Sequence, residues 1–599
     1  MLPSSHSVRA AAWILILFLL LPGCVVSSSS TITSTPSVTS IPTVATPTAP
    51  SLSPTPKPDK GGTLVVALPA EPDVLNFTLT DEPSTFDALS ALDARMIRIR
   101  DDGQLDPQLL TDIPTIQNGE ISADGLTWVV HFRTKLTWSD GHALDGRDLL
   151  FTWKTIINPS YPATRRFGWN DISSIALSAD YLTATISLAR PSGQLLDTIL
   201  AGGSDSAAGF LLPEHLFENT PVAEIARSSY GDTGHIGSGP FKIVKWSQGD
   251  QLIMERNDHF FGSRARLDRI VLRFEPDTRN VMTNLSTGEL DLGVDLAETS
   301  VVDLRQIPNI NAEITPKAGA VEMIYLNLDD PDNLAHPHPV LSDLVVRQAL
   351  MLGFNRQQIV ADFLLGQSSV AITPLDYTQW SDRTLKPYPY NPDMAQQILD
   401  AAGWLRQSDG VREKRGVRLA FRLTVVQGDD PQAILGQRIA KAFVADMAAI
   451  GIQVQQTMVT SAQMQANVQS GGIIASRSFD AIDPEMNQRS GVTQFDAHFT
   501  SDNIPSLTKP TGANIMGYRS PIVDASLGGL SESVDPQAQA QLLATAERAI
   551  YHDLPVIPVY DHFEVDASRS YVNGLSAGPI SGLWWNTEDW WINRGAAAP

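Results

Sequence analysis

The chain holds one cysteine, Cys24, in 599 residues. Neither an internal disulfide framework nor a thiolate zinc site can be built from a single thiol. Runs of Lys and Arg are also missing. The densest is Arg412-Glu413-Lys414-Arg415, and the formal net charge is −23. Binding to DNA or RNA depends on such runs, so no nucleic-acid partner is expected. No Gly-x-Ser-x-Gly elbow, His-Glu-x-x-His zinc helix, phosphate-binding Gly-x-x-x-x-Gly-Lys loop or dinucleotide fingerprint stands out, which weighs against an enzyme. No repeat of 20–50 residues is visible, which argues against a solenoid or propeller. The one long apolar run, residues 11–21, is too short to cross ~30 Å of hydrocarbon comfortably.

What is present is ordinary globular composition, with 43% hydrophobic and 18% charged residues. The length suits two to four packed units of ~100–200 residues. Arg9, the apolar run and Pro22-Gly23 before Cys24 describe an export signal over residues 1–23. Leu21-Pro22-Gly23-Cys24 resembles the bacterial lipobox, in which the cysteine is lipidated after cleavage. Acyl chains contribute ~0.8 kcal/mol per buried CH₂ and would hold the protein at a membrane surface. Residues 24–60 are almost wholly Ser, Thr, Pro and small side chains. Such a segment cannot offset its ordering entropy and reads as an extended tether of at most ~100 Å.

Folding signals begin at Gly61. Residues 64–68, 126–133, 184–188, 241–246, 251–256 and 270–274 read as strands. The second half alternates helix and strand. Residues 340–365 carry helical spacing broken at Asn355-Arg356, with Ser342 as the expected N-cap. Residues 394–402, 433–450 and 537–552 read as helices, and 417–426, 452–458 and 556–560 as strands. The strand–helix–strand run at 417–458 predicts a parallel crossover.

One stretch, residues 136–153 (LTWSDGHALDGRDLLFTW), looks like a site. Asp140, His142, Asp145 and Asp148 fall within nine residues. Ser139-Asp140-Gly141 also fits a turn, and Asp145 with Asp148 three later fits a helix capping box. Capping is the favoured reading, and no metal or cofactor is expected. His336 and His338 lie between prolines and read as a solvated turn.

Several stretches then stand in order. They are Gly61-Gly62-Thr63-Leu64; Asp124-Gly125-Leu126-Thr127-Trp128 with Trp138-Ser139-Asp140-Gly141; Gly237-Ser238-Gly239-Pro240-Phe241; and Glu255-Arg256-Asn257-Asp258. Gly288-Glu289-Leu290-Asp291, Val346-Arg347-Gln348-Ala349-Leu350 and Tyr390-Asn391-Pro392-Asp393 follow. Together they resemble solute-binding protein family 5, the dipeptide, oligopeptide and nickel type of ABC-importer receptor, from Gly61 to about Gly574. The resemblance implies an α/β, two-lobed periplasmic-binding-protein-like fold. An extra strand-rich subdomain, about residues 95–235, would sit on the first lobe, and two chain crossings near 293–297 and 556–563 would form the hinge. Lobe I would span 61–295, lobe II 296–559, and 560–599 would return to lobe I.

By the same resemblance the protein would capture an extracytoplasmic peptide or similar solute, without chemistry, and deliver it to a permease driven by an ATPase. A monomer, lipid-anchored to a bacterial cell membrane on its periplasmic or outer face, is expected. Candidate ligand-binding residues are Asn76, Trp380, Asp429, Asp430, Asp483, Glu485, Asn487, Gln488 and Arg489. In peptide-binding members an aspartate pairs with the ligand's amino terminus; the resemblance places that position near Gln488–Ser490, with Asp483 or Glu485 as the alternative carboxylate. A cation there implies a carboxylate-bearing, phosphate-bearing or neutral polar ligand, such as an oligosaccharide. The tryptophans at 584, 585, 590 and 591 read as packing against the first lobe rather than as sugar-stacking rings.

Overall fold

The computed structural model describes residues 61–203, 206–467, 470–483, 492–506, 509 and 511–594. Cys24 and the residues from Glu485 to Arg489 lie outside them. The first half supplies β1 (Thr63–Leu68) and a small antiparallel sheet of β2 (Thr127–His131), β3 (Ile172–Leu177) and β4 (Thr183–Leu188). Next come the hairpin β5 (Phe241–Ser247) and β6 (Gln251–Arg256), then β7 (Arg269–Phe274) and β8 (Leu292–Gly293). The second half supplies β9 (Ile310–Leu326), β10 (Ala420–Val426), β11 (Gln453–Val459), β12 (Ala481–Asp483) and β13 (Val556–Arg569). All except β2, β3 and β4 join one ten-stranded mixed sheet, ordered β11-β10-β12-β9-β13-β8-β1-β7-β6-β5.

The sequence explains the local choices. Strand β1 is apolar on both faces because it lies between parallel partners β7 and β8 in the sheet interior. Leu64, Val66 and Leu68 enter one core and Ala67 enters another. Strands β10 and β11 are parallel, as the strand–helix–strand pattern predicts. The crossover helix, Pro431–Ala449, starts on Asp430, whose carboxylate accepts from the backbone N–H groups of Gln432 and Ala433. A third core packs Val321, Met323 and Tyr325 of β9 against the helices Pro521–Glu532 and Pro536–Asp553.

Three expectations change. Ser342 does not cap its helix, because its hydroxyl donates to the carbonyl of His338. Asp343 caps instead, accepting from Val345 N–H. His338 is buried rather than solvated, and its Nδ1 accepts from Val340 and Leu341 N–H. The last strand also runs past residue 560 to Arg569, because it carries charged residues into the interior.

The family-like glycines are packing devices. A Cβ on Gly237 would lie 2.0 Å from the Leu92 carbonyl oxygen, and one on Gly239 would lie 2.6 Å from the Leu92 carbonyl carbon. Gly239 N–H donates to that same carbonyl. Trp584 and Trp590 are buried in the first core, as the packing reading predicts.

The helix Gly146–Ile157 begins on the predicted capping box. Asp145 accepts from Arg147 N–H at 3.0 Å, and Asp148 accepts from Asp145 N–H at 3.0 Å. Replacing Asp145 with Ala removes the cap and should lower unfolding free energy by about 1–2 kcal/mol, measured by urea denaturation.

Candidate functional site

Strands β9 and β13 pair along most of their length, with one large break. Pro316 faces Phe563 and Val321 faces Asp561, so residues 317–320 bulge opposite His562 alone. Below the break, β13 also pairs with β8, and above it β9 also pairs with β12. The break therefore lies where the two halves of the sheet meet.

His562 fills that position. Its Nδ1 lies 2.9 Å from Glu298 Oε1 and its Nε2 lies 3.1 Å from Glu322 Oε2. Burial opposes its charge, but the two carboxylates outweigh that and hold its pKa up at about 10. Both ring nitrogens are thus donors at neutral pH, and the imidazole cannot act there as a base. Glu298 also accepts from Phe563 N–H at 2.9 Å, and Asp483, at the end of β12, hydrogen-bonds Glu322.

A second cluster adjoins it. Ser369 Oγ donates to Asp561 Oδ2 at 2.6 Å and lies 3.0 Å from the Tyr377 hydroxyl. Burial and the neighbouring charge of Asp376 push the Asp561 carboxyl up to about 8. Asp376 is held by Ile372 N–H at 2.6 Å, and its carbonyl accepts from Gly319 N–H in the bulge. Lys317 Nζ donates to Asp295 at 2.6 Å. Tyr377 takes φ 61°, a costly value for a bulky side chain, and its ring is exposed.

The structure brings some sequence-predicted residues to this region and uses others elsewhere. Asp483 is fully buried beside Glu322. Trp380 is half-buried against the third core, three residues from exposed Tyr377. Asp429 is exposed, and Asp430 next to it spends its carboxylate on the helix cap. Asn76 is buried and internally satisfied, donating to the Tyr161 hydroxyl and accepting from Thr78. Sequence reasoning missed Ser369, Asp561 and His562. The signal was the alternation of His562, Glu564 and Asp566 with Phe563, Val565 and Ala567, which reads as one wet face but is buried on both.

One pentapeptide passed over in the sequence, Gly574-Leu575-Ser576-Ala577-Gly578, carries the letters of a nucleophile elbow. It is not one. No helix follows it directly, and the Ser576 hydroxyl is bonded to Asp101 rather than to a histidine.

The model for "Bacterial extracellular solute-binding proteins, family 5 Middle" matches residues 104–490, nearly two thirds of the chain. The chain belongs to this family. Family members are solute-binding proteins rather than enzymes. The oligopeptide-binding protein AppA of Bacillus subtilis is 24% identical over 542 residues, covering 90% of this chain and 93% of AppA. The structure of AppA with a nonapeptide superposes with a TM-score of 0.66 at 23% identity, covering 90% of this chain and 100% of that one. NikA from Brucella suis, in complex with Fe(III)-EDTA, gives 0.70 at 21% identity, covering 89% and 100%. These likenesses establish the periplasmic-binding-protein fold in this family member. Among the described residues no helix is long and apolar enough to cross a membrane.

Replacing His562 with Gln leaves Glu298 and Glu322 buried against a neutral group. Unfolding free energy should fall by about 3–5 kcal/mol in chemical denaturation. The histidine's folded pKa lies above its unfolded value of 6.5, so its contribution is complete below that pH and is lost as pH rises through about 10. The native protein should therefore lose more stability than the variant between pH about 7 and about 10.

Proposed function

We propose that this protein is the extracytoplasmic solute receptor of an ABC importer. It takes a peptide or a solute of similar size between two lobes and presents it to a membrane permease driven by an ATPase. The observation that carries this reading is the family match over residues 104–490, joined to near-complete coverage of an oligopeptide-binding protein. The ligand is bound and released unchanged, and the protein acts as a monomer.

In this reading the first lobe begins at about residue 61 and runs past 295 to the break at 317–320, the second follows to about 559, and 560–599 returns to the first. The β2, β3 and β4 sheet belongs to the additional subdomain. The bulge opposite His562 supports a first crossing at residues 317–320, downstream of 293–297, with the second near 560–563. Closure would bend the β9–β13 pair where its ladder is already interrupted. Tyr377, Trp380, Asp429 and the segment from Glu485 to Arg489 would line the cleft. Buried Asp483, Glu298, Glu322 and Asp376 would make its floor electronegative, which favours a ligand with a cationic end.

A second reading rests on Gln488-Arg489, where a carboxylate is expected in peptide receptors of this type. It favours an anionic or neutral non-peptide solute. Mass spectrometry of ligand released from purified, denatured protein decides between the two. Mixed short peptides are expected, and recovery of a sugar or phosphate ester would replace the peptide assignment. Unchanged affinity in Arg489→Ala would remove that residue from the pocket.

The lipid anchor is a separate part of the proposal. Cys24→Ser should move the protein from the membrane fraction to the soluble extracytoplasmic fraction in cell fractionation, with ligand affinity unchanged.

A further inference from the structure

Half of the acidic stretch at 140–148 is used for capping, and the other half is not. Asp140 and His142 sit on a tight hairpin turn. Gly141 N–H donates to the Trp138 carbonyl at 2.9 Å, and Trp138 N–H donates to the His142 carbonyl at 2.9 Å. His142 N–H donates to Asp140 Oδ1 at 3.1 Å, which leaves Oδ2 facing away from the turn backbone. His215 arrives from a distant segment, just after Pro213. That segment is fixed by Asp148, whose Oδ1 accepts from Glu214 N–H at 2.9 Å while its Oδ2 completes the capping box. The cap thus places His215 over the turn.

The result is convergent. His142 Nδ1 lies 3.0 Å and His215 Nε2 lies 2.9 Å from the same oxygen, Asp140 Oδ2. The two imidazole rings stack at 4.3 Å with 16° between their planes. One ligand atom from each residue lies within 4.8 Å of the others. Tetrahedral zinc with bonds of ~2.0–2.2 Å needs its ligands about 3.3–3.6 Å apart; the two Asp140–histidine distances, 3.0 and 2.9 Å, need to open by only a few tenths of an ångström.

We propose that Asp140, His142 and His215 bind one divalent transition-metal ion of the zinc, nickel or cobalt class. Two imidazoles and one carboxylate suit such borderline ions, whereas calcium and magnesium prefer all-oxygen sites. On binding, each imidazole coordinates through its neutral nitrogen: its one remaining proton sits on the other ring nitrogen, and any second proton is released to solvent. Three protein ligands leave a coordination position open to water or an exogenous anion. The ion links the 137–143 turn to the 213–217 segment. It lies in the strand-rich part of the chain, remote in sequence from the β9–β13 break, and it does not depend on the identity of the transported solute.

The test is titration of untagged full-length protein with ZnCl₂ and with CoCl₂ in chelator-treated buffer, with stoichiometry read by calorimetry and coordination by the cobalt visible spectrum. One ion per chain is expected to be lost, with affinity down roughly 100-fold or more, in His142→Ala and in Asp140→Asn. The site should be retained in His336→Ala, an exposed histidine outside the cluster. His142 lies on an exposed turn, so its removal leaves the fold intact, checked by circular dichroism. A zinc-dependent rise in melting temperature should vanish in the same variants. Equal zinc affinity in His142→Ala and the native chain would overturn the site. So would no zinc binding at all, or calcium binding as tightly as zinc.

Discussion

The buried ion triad of Glu298, His562 and Glu322 is the constraint on which the centre of the molecule depends. Its three members come from the short helical turn after β8, from β13 and from β9. Each is costly alone in the interior. Together they are nearly self-solvating, because each imidazole nitrogen meets a carboxylate and Glu298 takes further donors from Phe563 and Tyr560. The triad forms only when β9, β13 and the 298–300 turn are all in place. It therefore ties register to charge. A slip of one residue in β13 would point Phe563 at two carboxylates.

This arrangement sits where the strand pair is weakest. The bulge at 317–320 removes ladder hydrogen bonds across from His562, and nearby groups compensate. Gly319 N–H bonds the carbonyl of Asp376, and Ala318 N–H bonds the carbonyl of Pro579. The break is tolerated because these donors stay satisfied, whereas an orphaned buried donor would be costly. The Asp561–Asp376 pair adds a proton-sharing contact beside the exposed Tyr377.

The segments that mark the family do structural work. Gly237 and Gly239 let two backbones touch, Asp145 and Asp148 start a helix, and Trp138 is buried beneath its turn. Such residues meet packing and capping demands, and they say little about a ligand. Ser369 and Asp561 belong to no motif. They are joined only by folding, across nearly two hundred residues of chain.

Much of the architecture was legible in the sequence, because period and capping are local. The crossover helix, its flanking strands, the Asn355 break and the capping box all follow from side-chain spacing and from orphan helix N–H groups. The cap at Asp343 was misread by one residue, since the competing bond from Ser342 to His338 is invisible to a spacing rule. The burial of His562, Glu564 and Asp566 was not legible either. Alternating charge normally means a wet face, and only the third dimension supplies the carboxylates and backbone donors that let those residues stay dry. The sequence by itself determined the family, the α/β class and the local signals. The tertiary structure alone decided which charges meet, because electrostatic partners are chosen by distance in space and leave no period in the chain.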